Sequence, residues 1–130
     1  MAGVVLLDTH ALLWALLEPH RLSEAARQAI EDPGEVLLVS SATAWELGTK
    51  HELGWLTGAE GVLDGFETHV ARLEATPLAI TVPHALAAAQ LPPHHRDPID
   101  RMLIAQARLE GVSLVTNDAA FGAYDVRTLW

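Results

Sequence analysis

The sequence predicts a three-layer α/β/α fold around a parallel sheet, and three observations lead there. Short apolar runs, VVLL at Val4–Leu7 and VLLV at Val36–Val39, and the strand SLVT at Ser113–Thr116 alternate with segments of helical periodicity. Strands that are apolar at every position belong to sheets covered on both faces, which is the parallel case, and strand–helix–strand connections are expected with Rossmann-like handedness. A length of 130 residues suits one hydrophobic core, so residues 1–130 read as a single domain.

Each element has a local cause. Val4–Leu7 is the first strand, and Ala11–Leu17 carries a helical pattern. Ser23 is a good N-cap for a helix over Glu24–Glu31, with Pro33-Gly34 as the stop. Val36–Val39 is the second strand, and Ser40 or Ser41 caps a helix running to about His51. Gly58–Glu74 reads as a further helix despite its internal glycines. Leu78–Ile80 is a weak strand, followed by a helix over Ala85–Gln90 and a loop at Leu91–Asp97. Pro98 opens the next helix at a position where proline is tolerated, and Gly111 closes it. Ser113–Thr116 and Val126–Leu129 supply the last two strands.

Composition narrows the function classes. Half the residues are hydrophobic and 19% are charged, which places the chain among globular rather than disordered proteins. There is no cysteine, which excludes disulfides and cysteine-ligated metal sites and fits a reducing cytoplasm. No apolar run reaches about 18 residues, so no membrane span is expected. The start, MAGVVLLDTH, lacks a basic flank and does not resemble a signal peptide. The net charge of −9 argues against broad phosphate binding and favours a basic partner, or acids gathered around a metal.

The acids carry the chemistry. Asp8 follows the first strand, Glu46 lies in the helix after the second, and Asp118 follows the strand SLVT. Asp100 sits near the start of the helix feeding that strand. It shares a face with Leu103, Ile104 and Ala107, so a carboxylate is placed on an inward stripe. Glu46 shares a mostly inward stripe with Ala42, Thr49 and Leu53. In parallel sheets, sites form beyond the carboxyl ends of the strands, where all four acids are expected to converge. Taken singly, Asp8 or Asp118 is a helix cap, and Glu46 is an i,i+4 partner of Lys50. Together they repel: two unit charges about 6 Å apart cost roughly 3 kcal/mol at an effective dielectric of 20. A hard divalent cation, Mg²⁺ or Mn²⁺, resolves that repulsion.

Thr9 and Thr116 are candidate hydroxyl donors orienting the carboxylates, and Asp97 is either a supporting acid or a turn residue. Lys50, Arg96 and Arg101 either steer phosphates or form surface ion pairs. His94 and His95, in a proline-rich loop, read as exposed rather than as a transition-metal site. Trp14, Trp45 and Trp55 read as packing in the core or on a partner surface. There is no glycine-rich phosphate loop, no HExxH and no serine nucleophile elbow. A haloacid-dehalogenase-like phosphatase wants an acid two residues after the first aspartate, where this chain has His10. A receiver domain wants a lysine at a late strand end, and none is present.

The segments LLDTHALLW, SSATAWELGTK, HHRDPIDRMLIAQA and LVTNDAAF, with HRLSEAARQAI and YDVRTLW, resemble the PIN domain. More narrowly they resemble the VapC-type ribonuclease toxins of type II toxin–antitoxin pairs. The resemblance runs essentially end to end. It implies a sheet of about five strands, an acidic Mg²⁺ or Mn²⁺ pocket and endonucleolytic cleavage of RNA. It carries the family's acids onto Asp8, Glu46, Asp100 and Asp118, and a hydroxyl residue beside them onto Thr116. It also implies a homodimer and a cognate antitoxin that inserts a basic segment into the groove. The expected chemistry is hydrolysis by an activated water, held by Asp8, Asp100 and Asp118 through one or two cations, with Glu46 direct or through water. Glu46 or Asp118 takes the proton, and the product carries a 5′-phosphate. Setting the four acids aside leaves eight basic against thirteen acidic residues, so RNA affinity is confined to a local basic rim. The alternatives are a catalytically silent metal-stabilised module and a structure-specific DNA nuclease.

Overall fold

The computed structural model describes residues 3–56, 58 and 60–130. One five-stranded sheet runs in the order β3-β2-β1-β4-β5, with every pairing parallel. The strands are β1 (Val4–Leu7), β2 (Val36–Ser40), β3 (Ala75–Leu78), β4 (Ser113–Val115) and β5 (Thr128–Leu129). The helices are α1 (Thr9–Leu17), α2 (Glu24–Glu31), α3 (Ser41–Glu52), α4 (Glu60–Leu63), α5 (Phe66–Arg72), α6 (Val82–Gln90) and α7 (Pro98–Glu110).

Strand alternation sorts the core into two faces. Val5, Leu7, Leu37, Val39 and Val115 pack with Ala11 and Leu12 of α1, Ala26 of α2 and Val70 of α5. Leu6 and Leu114 face the other way, onto Leu103, Ile104 and Ala107 of α7 and Ala88 of α6. This is the three-layer arrangement the apolar strands predict. Leu6, Leu103 and Leu114 have no exposed surface, so truncating any of them to alanine should cost about 2–5 kcal/mol. No helix among the described residues is long and apolar enough to cross a membrane.

Several boundaries differ from the sequence reading. The third strand is Ala75–Leu78, not Leu78–Ile80. It contains Pro77, which is tolerated because β3 is an edge strand with one row of amides left unpaired. Ala59 lies outside the described residues; the described part of Gly58–Glu74 holds two helices, α4 and α5, with Gly65 between them at φ +74°. The helix expected from Ala85 begins at Val82, because Thr81 and His84 form a reciprocal capping box and Pro83 fits the first turn. Ser40, rather than Ser41, caps α3. The last strand is only Thr128–Leu129. Short 3₁₀ turns at Pro19–Arg21 and Ala119–Ala123 carry no apolar period and escape the pattern. Gly111 closes α7 in the left-handed conformation, as expected.

Candidate active site

The chain builds β2 and β3 to one side of β1, then β4 and β5 to the other. The order therefore reverses between β1 and β4, and the crevice beyond their carboxyl ends is where such sheets bind ligands. Asp8 leaves β1 at that point, and its backbone N–H donates to Val115 O at 3.0 Å. Asp118 lies just beyond β4. Both aspartates are helix caps as well: Asp8 Oδ1 accepts from Ala11 N at 2.7 Å and Asp118 Oδ1 from Ala120 N at 2.9 Å. Each cap uses Oδ1 and leaves Oδ2 for other work.

Thr116 ties the two together. Its hydroxyl accepts the Asp118 backbone N–H at 3.0 Å and stands close enough to the Asp8 carboxylate to favour its charged form. Asp8 is buried, and burial pushes its carboxyl above the usual carboxylate range. Thr116, the Ala11 N–H and the charge of His10 pull it back, while Asp118 adds to the rise.

Asp100 lies in the first turn of α7, on the stripe that buries Leu103 and Ile104. Its carboxyl is pushed up to about 7, mainly by burial and next by the charge of Asp97, with Glu46 contributing; His95 opposes the rise. His95 is the residue the sequence reading placed in solvent. Its side chain is only 20% exposed, and Nε2 lies 2.8 Å from Asp100 Oδ2. The contact is close but does not meet hydrogen-bond geometry. Nε2 is left buried without a hydrogen-bond partner. One donor atom each from His95, Asp100 and Asp118 lies within 4.8 Å of the others. The signal for His95 is local: Asp97 caps α7 with Pro98 at its first position, which turns the residue two before the cap back over the first helical turn. His94 points away, with its ring edge-on to Tyr124.

The remaining candidates divide. Glu46 is near enough for its charge to raise Asp100, but its Oε2 is engaged by Lys50 Nζ at 3.2 Å, the i,i+4 pair. Its expected inward stripe is different: Ala42, Thr43 and Leu47 are buried, whereas Thr49 and Leu53 are exposed. Asp97 is the cap of α7 and adds negative charge beside Asp100. Thr9, expected to orient Asp8, is buried and donates instead to Thr43 Oγ1 at 3.3 Å. Arg101, expected on the phosphate path or in a surface ion pair, has neither role. Its guanidinium donates to the carbonyls of Ala88, Leu91, Pro92 and His95 at 2.8–3.2 Å. It caps the end of α6 and fastens the histidine loop. Lys50 and Arg96 do border a cleft of about 540 Å³ together with Trp45, Trp55, Glu46 and Asp97. Trp45 and Trp55 are 64% and 72% exposed, so neither is a core residue. Trp14 is partly buried against Trp130, under the Arg21 guanidinium.

The PIN domain family model matches residues 5–127. The chain belongs to the PIN-domain family. Among curated PIN-type relatives it is 37% identical to Ribonuclease VapC22 of Mycobacterium tuberculosis over 123 residues, 88% of this chain and 86% of that one. Solved structures share the PIN fold at lower identity. VapBC from Salmonella typhimurium, in a DNA-bound crystal structure, superposes with a TM-score of 0.69 at 21% identity, covering 98% of this chain and 97% of that one. VapBC2 from Rickettsia felis, bound to a promoter DNA fragment, gives 0.67 at 14% identity, with 96% of each chain covered.

Proposed function

We propose that this PIN domain is a VapC-type toxin, an endoribonuclease dependent on Mg²⁺ or Mn²⁺. The observation that carries the reading is the meeting of Asp100, Asp118 and His95 donors at the strand-order reversal, with Asp8 linked to Asp118 through Thr116. These residues fit a divalent cation. Carboxylate oxygens are hard donors, their mutual charge is only partly offset by His10 and His95, and a buried imidazole nitrogen has no hydrogen-bond partner. When bound, the cation offsets phosphate charge and makes a water more acidic.

The chain's own groups supply the rest. Asp8, Asp100 and Asp118 would hold the cation, with Thr116 beside the Asp8 carboxylate and bonded to the Asp118 backbone. Glu46, whose Oε1 is left over from the Lys50 pair, or Asp118 takes the proton from the attacking water. Lys50 and Arg96 line the approach and receive the phosphate backbone. Attack by water on phosphorus with departure of the 3′ oxygen needs no ribose 2′-hydroxyl, so the product carries a 5′-phosphate.

The partner is an antitoxin whose basic segment enters the acidic groove; the chain's charge of −9 and the VapBC assemblies among its structural relatives support this. The toxin is a homodimer acting in the cytoplasm. Fluorogenic RNA incubated with Mn²⁺ should be cut, with ends open to a 5′-phosphate-dependent exonuclease. Chelator or Asp8→Asn should abolish the signal, and a matching DNA substrate should remain whole. A 2′,3′-cyclic phosphate product, or cleavage undiminished by chelator, refutes the proposal.

A further inference from the structure

His95 shows what else the acidic pocket can do. Two donors that hydrogen-bond each other point at each other. Two donors that share an ion sit close together but point past each other, at the ion. In octahedral coordination with bonds of about 2.1 Å, neighbouring ligand atoms lie about 3.0 Å apart and opposed ones about 4.2 Å. His95 Nε2 and Asp100 Oδ2 are 2.8 Å apart without hydrogen-bond geometry, and the trio completed by Asp118 fits within 4.8 Å. The Nε2 atom is buried and has no hydrogen-bond partner.

The ring is held in place for this. The His95 backbone N–H donates to Tyr124 Oη at 2.8 Å, and its carbonyl accepts from Arg101 at 3.2 Å. The ring lies against Phe121, with centroids 6.1 Å apart. Nδ1 has only the Asp97 backbone N–H at 3.4 Å, a long contact that opens when Nδ1 carries the ring proton.

We propose that His95 Nε2 is a direct nitrogen donor to the cation held by Asp100 and Asp118, and that it biases the site toward Mn²⁺ over Mg²⁺. The inference rests on the metal-dependent reading above. Imidazole is a softer donor than carboxylate or water, and Mg²⁺ gains less from it than Mn²⁺ does.

The test uses the full chain without added histidines and Mn²⁺ as the probe. Pulsed EPR of bound Mn²⁺ should show modulation from a directly coordinated ¹⁴N, which changes to the ¹⁵N pattern when the chain is made with ¹⁵N-histidine. His95→Gln should abolish it and lower Mn²⁺ affinity by at least about 10-fold in calorimetry. Mg²⁺ affinity should move by less than about 3-fold. The isotope arm needs no variant, so a misfolded His95→Gln does not spare the inference. Mn²⁺ bound without nitrogen coupling, or coupling that survives in a folded His95→Gln, overturns ligation by His95 and leaves the carboxylate-held cation standing. No Mn²⁺ binding at all overturns both.

Discussion

Asp100→Asn should make the metal-free protein more stable while destroying its activity. The Asp100 carboxyl is raised from 3.8 to about 7 in the fold. A raised carboxyl favours folding fully below its unfolded value of about 4, and that contribution is lost as pH climbs through 7; at pH 8 the ionised group is a net burden on the fold. Three units correspond to about 4 kcal/mol at most. The side chain is one-fifth exposed, and solvent screening reduces the figure to about 1–2 kcal/mol. Asparagine keeps the shape and removes the charge. In chelator at pH 8, Asp100→Asn should therefore raise Tm by about 3–8 °C. The gain should shrink toward zero by about pH 4, where the native carboxyl is also neutral. Saturating Mn²⁺ should reverse the order: at 100 times Kd the native chain gains about 2.7 kcal/mol by linkage, and the variant gains far less. Scanning calorimetry in both buffers and an RNA cleavage assay measure all of this. A variant that is less stable than the native chain at pH 8 in chelator, or that gains as much from Mn²⁺, refutes the claim that Asp100 is a functional charge held at the expense of stability.

Three further outcomes follow from the same geometry. Arg101→Ala should lower stability by about 2–3 kcal/mol in urea unfolding, because it strips a charged donor from the α6 and histidine-loop carbonyls; a loss below about 0.5 kcal/mol would show these bonds to be dispensable. Apparent Mn²⁺ affinity should fall about tenfold per pH unit below 7, as the proton on Asp100 competes, and level off above it; calorimetry showing a flat profile from pH 6 to 8 contradicts the raised carboxyl. Thr116→Val should leave far-UV circular dichroism unchanged yet weaken Mn²⁺ binding about 10- to 100-fold, since it removes the hydroxyl that holds the Asp118 backbone and stands beside the Asp8 carboxylate. Unaltered affinity would reduce Thr116 to an ordinary strand-end residue.

Much of the fold is legible residue by residue. The continuous apolar runs place β1, β2 and β4, and Ser23, Pro98 and Gly111 mark helix ends through backbone chemistry that acts within a turn. Boundaries failed where a local rule had a competitor. Pro77 sits in β3, where an edge position tolerates its missing N–H, and Gly65 cuts the helix expected over Gly58–Glu74. The positions of Asp8 and Asp118 are legible from the strands: Asp8 follows its apolar run directly, and Asp118 comes two polar residues after Val115.

Periodicity and strand termination depend on neighbours within a few residues, so the chain's order alone fixes which acids stand at strand ends and on the α7 stripe. What those acids meet is set by the packed fold. Thr116 joins Asp8 to Asp118 across the β1–β4 switch, and Arg101 turns inward to the carbonyls of α6 and the histidine loop. His95 folds over Asp100 with a buried, unpartnered nitrogen. Which side-chain atom faces which depends on how separate elements pack, and packing sums many weak contacts from across the chain.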